Sequence, residues 1–130
     1  MTDQSYSEDQ PGTVWRVEFY RAKGENPVVE ELLDLRGRDL RLAEEVVQDL
    51  KDLEAFGFDL PDKRLRKVMG TDLWELRSRW QHRIARTLFF HTGTRLLIVT
   101  TIFQKRTNAI PRPALTRARE RAARWKAERA

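Results

Sequence analysis

Leu73-Trp74-Glu75-Leu76-Arg77-Ser78, then Ile84-Ala85-Arg86-Thr87-Leu88-Phe89-Phe90, then Leu96-Leu97-Ile98-Val99-Thr100-Thr101-Ile102-Phe103 follow one another as three runs rich in β-branched and aromatic residues. The first run alternates, with Trp74 and Leu76 on one face and Glu75 and Arg77 on the other. The second and third are apolar on both faces, which predicts the centre of a sheet with a helix over one side. His91-Thr92-Gly93-Thr94 between them reads as a hairpin turn. Just upstream, Leu65 to Met69 predicts a short strand and Gly70-Thr71-Asp72 a turn.

On the N-terminal side, Val14 to Tyr20 sets Trp15, Val17 and Phe19 against Arg16, Glu18 and Tyr20, the period of a half-buried strand. Asn26-Pro27 reads as a cap followed by a first-turn proline, starting a helix that runs to about Arg36 and stops near Gly37. Leu40, Ala43, Val47, Leu50 and Leu53 fall at helical spacing, so a second helix runs to Phe56, with Gly57 as its stop. Residues 58–62 read as a loop around Pro61. On the other side, Pro111 and Pro113 precede a run to Arg129 whose Ala114, Ala118, Arg121 and Trp125 suggest a terminal helix. The order of elements is that of an α+β domain: a strand, two helices, a twisted and mainly antiparallel sheet, and a C-terminal helix. Residues 1–12 read as a disordered tail and residues 13–130 as a single domain, which suits a chain of 130 residues.

Several function classes fall away on composition. No stretch reaches membrane-spanning length and the N-terminus is acidic, so the expectation is a cytoplasmic protein that engages no membrane. There is no cysteine, and the two histidines, His82 and His91, lack the spacing of a zinc site. No metal and no cofactor are therefore expected.

The net charge of +5 conceals two opposed regions. Residues 25–62 hold twelve acids against four bases, whereas residues 63–106 hold eleven bases against Asp72 and Glu75. Isolated Arg and Lys set into alternating strands present cations on a sheet surface, and such a surface suits a polyanion. The segregation predicts an acidic helical side and a basic side able to gather RNA phosphates and steer them at long range. The plainer alternative is a solvated surface with a fortuitous bias.

Three stretches then bring a known family into view. They are K-V-M-G-T-D-L-W-E-L-R from Lys67 to Arg77, R-T-L-F-F from Arg86 to Phe90, and F-Q-K from Phe103 to Lys105. With Pro111 and the A-R-E-R of Ala118 to Arg121, in this order and spacing, they resemble the RelE/ParE superfamily of toxins from bacterial toxin–antitoxin pairs, and more closely its phage-derived HigB-like branch. The likeness runs from about Trp15 to Lys126. It implies a small RelE-like fold and a metal-independent endoribonuclease that cleaves messenger RNA on the translating ribosome. RNA carries its own nucleophile in the 2′-hydroxyl. A protein then needs only to deprotonate it, stabilise the phosphorane dianion and help the 5′-oxygen leave.

Under that resemblance, Arg77 clamps the scissile phosphate and Arg86 assists it. Lys105 supplies transition-state charge or proton transfer, and Lys67 is a phosphate contact or the base. Lys63, Arg64, Arg66, Arg79, Arg83 and Arg106 are further RNA contacts, and Trp80, read as part of a polar loop, stacks on a base or lids the core. Each has a structural alternative: Arg77 could pair with Glu75 or Asp72, and Arg86, in line with Ile84 and Leu88, could be a buried structural arginine. One departure stands out, because many relatives place a Tyr or His near the end of the final strand, where Ile110-Pro111 offers neither.

The partners implied are mRNA, the ribosome and a helix-turn-helix, HigA-like antitoxin that grips either the basic cassette or the acidic helices, in an assembly able to bind operator DNA through the antitoxin. A gyrase-poisoning protein of the same fold and a non-catalytic nucleic-acid-binding relative are the alternatives.

Overall fold

The structure is a computed structural model that describes residues 15–129; the tail expected at 1–12 lies outside the described residues. The elements are β1 (Arg16–Phe19), α1 (Pro27–Arg38), α2 (Leu40–Phe56), a 3-10 turn (Gly57–Asp59), β2 (Leu65–Lys67), β3 (Leu73–Trp80), β4 (Arg83–His91), β5 (Leu96–Gln104) and α3 (Arg112–Glu128). They form the expected α+β fold. The five strands lie in the order β1-β5-β4-β3-β2, with β1 parallel to β5 and every other pair antiparallel.

Helices cover both faces of the sheet, not one. Phe89 and Phe90 are neighbours on β4 and so point to opposite sides. The Phe89 ring lies 6.2 Å from Phe58, just beyond α2, while the Phe90 ring meets Trp125 of α3 at 5.5 Å. Both rings are fully buried. An arginine-rich α3 can serve as a core layer because Ala114, Ala118 and Ala122 supply its buried stripe, with alanine keeping the helix close to the strands.

Strands β1 and β2 are shorter than the expected Val14–Tyr20 and Leu65–Met69, and two further boundaries differ in ways that shape the site. Helix α1 continues through Gly37 to Arg38, since an interior glycine costs only about 1 kcal/mol. Asp39 then ends it, its N–H bonding to Leu35 O, and caps α2 by accepting from Leu42 N at 3.2 Å. Strand β3 continues to Trp80, opposite Arg83, leaving only Gln81 and His82 as the turn. Trp80 is thus a strand residue rather than part of a polar loop.

Gly57 stops α2 at φ +58° as expected, and Trp15 adds a second reason for glycine there. A Cβ at this position would fall 2.1 Å from the Trp15 indole nitrogen. No helix among the described residues is long and apolar enough to cross a membrane.

Candidate nucleic-acid interface

The basic face is built around a buried ion pair. Cross-strand register sets Arg77 opposite Arg86 and Arg66 opposite Glu75. The register thus brings Arg66 and Arg77 near Arg86, and of the three only Arg86 pairs with Glu75. Arg86 is 3% exposed and Glu75 2%, and Arg86 Nε lies 2.6 Å from Glu75 Oε2. Arg86 Nη2 also donates to Asn108 O at 2.8 Å. Burial pushes the Arg86 pKa down, Glu75 pushes it back up, and the nearby Arg77 and Arg66 cations lower it further. Arg86, expected beside the phosphate, is instead a buried arginine bound to Glu75 and to the loop after β5. With only 3% of its surface exposed it has no open side for a ligand.

Two expected RNA contacts are likewise occupied. Arg64 Nη1 reaches Asp49 at 3.1 Å and Asp52 at 2.9 Å on α2, and Arg83 forks onto Asp39. The acidic helices and the basic strands are therefore joined by these ion pairs rather than left as two free sides. Desolvation raises the Asp49 pKa despite Arg64, while the hydrogen bond from Arg83 holds Asp39 below its ordinary value.

Arg77 differs in its charge partner. It is half-buried and no carboxylate among the described residues lies within ion-pair reach; its Nε lacks a hydrogen-bond acceptor, as does that of Arg86, which however has the Glu75 charge at 2.6 Å. The expected alternative, a pair with Glu75 or Asp72, is not formed: Glu75 takes Arg86, and Asp72 takes Lys126. Arg77, Asp62, Lys63, Arg64, Arg79 and Ile84 line a recess of about 110 Å³. Asp62 and Lys63 sit there at φ +70° and +57°, a left-handed pair that non-glycine residues adopt at some cost and that recurs at functional sites.

Ile84 is also a wall of a second recess, of about 300 Å³, lined by His82, Arg83, Gln104, Lys105, Arg106, Thr107 and Asn108. The loop that carries Lys105 and Arg106 is tied at both ends. Lys105 N bonds Ile84 O at 2.7 Å, and Asn108 O accepts from buried Arg86. Arg77 and Lys105 thus stand on either side of one isoleucine. His82, an ordinary surface residue by sequence, joins Lys105 because the β3–β4 turn is only two residues long and meets the end of β5.

The other expected residues lie elsewhere. Lys67 donates to Thr71 O within the β2–β3 turn and lines a separate groove with residues of α3. Arg66 is exposed, beside Glu75 in register. Trp80 is half-buried with the Arg41 guanidinium 5.5 Å from its ring, so α2 occupies one of its faces. Lys63 and Arg106 are exposed and make no ion pair among the described residues, and Arg79 donates to Gln81 O. No group of three or more His, Cys, Asp or Glu that could hold a metal ion occurs among the described residues.

Chemically, an arginine without a carboxylate in one recess and an ammonium and an imidazole in the adjoining one can bind an oxyanion. Comparison with curated proteins finds no match. The model of the phage-derived Gp49-like protein family matches residues 33–123, which takes in the second half of α1, all of α2, strands β2 to β5 and most of α3. The chain belongs to the phage-derived Gp49-like family.

Proposed function

We propose that the protein is the toxin of a toxin–antitoxin pair and that it cleaves messenger RNA on the translating ribosome by attack of the 2′-hydroxyl. The Gp49-like family is toxin-like and related to the RelE/ParE-type toxins, which supports the toxin reading. One observation carries the chemical reading: Arg77 keeps a half-buried guanidinium without a carboxylate, while Arg64, Arg83 and Arg86 each have one. A partly desolvated, uncompensated cation beside a recess is stabilised by an anion, and a phosphate accepts its two-pronged bonds.

In this reading Arg77 holds the non-bridging oxygens of the scissile phosphate. The 2′-oxygen loses its proton and bonds phosphorus, and the bond from phosphorus to the 5′-oxygen breaks as that oxygen gains a proton. Negative charge builds on the phosphorane between these events, where Lys105 stabilises it. Lys105 and His82 are the groups placed to move the protons. No metal or cofactor is required.

A helix-turn-helix, HigA-like antitoxin is proposed to hold the protein silent by gripping α1 and α2, where Leu33 and Leu40 stand 56% and 47% exposed beside exposed Glu44. The test of function is primer extension on mRNA translated in a cell-free system containing the purified protein. Cleavage within translated codons, lost in Arg77→Ala and Lys105→Ala, is expected. Intact message in the presence of folded wild-type protein would overturn the reading.

A further inference from the structure

Lys67 stands apart from the Arg77 recess, and what surrounds it assigns it a different task. The β2–β3 turn and α3 enclose an open groove of about 550 Å³, lined by Lys67, Gly70, Thr71, Asp72, Arg119, Ala122, Ala123 and Lys126. Three cations face one acid across it, and that acid is already paired with Lys126, which holds Asp72 below its ordinary pKa. Arg119 is exposed and makes no ion pair among the described residues. The two alanines leave the helix side low enough for a ligand backbone to come close. Met69, beside the turn glycine, is 89% exposed and offers an apolar surface next to the cations.

We propose that this groove binds the phosphodiester backbone of a single-stranded nucleic acid, with Arg119, Lys67 and Lys126 on phosphates and Met69 against a base. The inference deepens the proposed function by extending the path of the substrate strand. Asp72, at one end of the groove, and Arg77 are five residues apart along the β2–β3 turn and β3, roughly 17 Å at the rise of a strand. Arg66 lies between them in register, opposite Glu75. One extended strand could thus run from the groove past Arg66 to Arg77. An acidic peptide is the competing occupant, but it would need an apolar pocket for its side chains. This groove has a shallow alanine floor, and the only large apolar group beside it is the exposed Met69.

The test is fluorescence anisotropy with a labelled twelve-residue oligodeoxynucleotide, over a series of salt concentrations. Lacking the 2′-hydroxyl, it reports binding whether or not the protein cleaves RNA, so failure of this inference is separable from failure of the cleavage reading. Arg119→Glu should weaken binding about ten-fold. The control Lys51→Glu, an equal charge change on the exposed face of α2, should have a much smaller effect. Arg119→Ala should reduce the salt dependence of log affinity by about 0.7, the release expected for one single-strand phosphate contact. Equal effects of Arg119→Glu and Lys51→Glu would overturn the proposal. So would binding of a poly-glutamate peptide that depends on Arg119 while oligonucleotide binding does not.

Discussion

Glu75 and Arg86, on neighbouring strands, meet at 2.6 Å with 2% and 3% of their surfaces exposed, and Arg86 reaches on to the Asn108 carbonyl. The pair both neutralises the centre of the basic face and fastens the loop that carries Lys105. Removing one member leaves a buried charge without compensation. Glu75→Gln should therefore cost about 3 to 5 kcal/mol in urea denaturation at neutral pH. Replacing both, Glu75→Leu with Arg86→Met, should recover much of that stability. It should not restore activity, because the tie to Asn108 is lost.

Arg77 follows the opposite pattern. It makes no ion pair, so Arg77→Ala should change thermal stability little while abolishing growth arrest on expression. Arg77→Lys should also be impaired, because an ammonium cannot reproduce a bidentate clamp. Parallel melting curves and growth assays at matched expression check both.

Asp39 ties stability to pH in the acid range. Its pKa is held below the ordinary 3.8, chiefly by the hydrogen bond from Arg83. A depressed carboxyl contributes stability that is complete above the unfolded pKa and lost as pH falls through the folded one. Asp39→Asn keeps an N-cap for α2 but removes the charge. The variant should be less stable than the parent at neutral pH, with the difference closing below about pH 3.8 in denaturation series. Asp39→Ala should lose about 1 kcal/mol more, the usual worth of the cap.

Gly57→Ala tests the seam between β1 and α2. The new methyl would collide with the Trp15 ring at a backbone angle that alanine avoids. Destabilisation of about 3 kcal/mol is expected. Trp15→Phe in the same background should restore part of it, as read by the urea midpoint.

Local pattern made most of the architecture legible. Alternation in β3, the two-faced apolar β4 and β5 and the helical spacing of α2 are short-range signals. The bounds of α2 agree with the expectation, but Leu40 and Val47 of the expected stripe are exposed while Leu42, Val46 and Asp49 are buried. The terminal helix is legible from Ala114, Ala118 and Trp125, but its covering the second face of the sheet is not, because α3 is rich in arginine and its fully buried residues are all alanines. The site was less legible than the fold. Arg64, Arg77, Arg83 and Arg86 look alike in sequence, yet what separates them is the carboxylate each does or does not meet, a long-range fact. Arg83 finds Asp39 44 positions away, and Arg64 finds Asp49 15 positions away. Glu75 shares a face with Arg77 in the sequence pattern, and its burial comes from Arg86 on the neighbouring strand, which in turn binds the loop after β5 at Asn108. His82 carries no such local signal either, since its neighbours Lys105 and Arg106 come from the far end of another strand.

The account rests on cleavage by the RNA's own 2′-hydroxyl at the Arg77 recess. Mass spectrometry of product ends from an mRNA cleaved in translating extract tests it directly, when paired with the same message carrying a single 2′-deoxynucleotide at the cleaved position. A 2′,3′-cyclic phosphate or 3′-phosphate, no cut at the deoxy position and no cut by Arg77→Ala are the predicted results. A 3′-hydroxyl end, or cleavage of the deoxy substrate at the same bond, would contradict it.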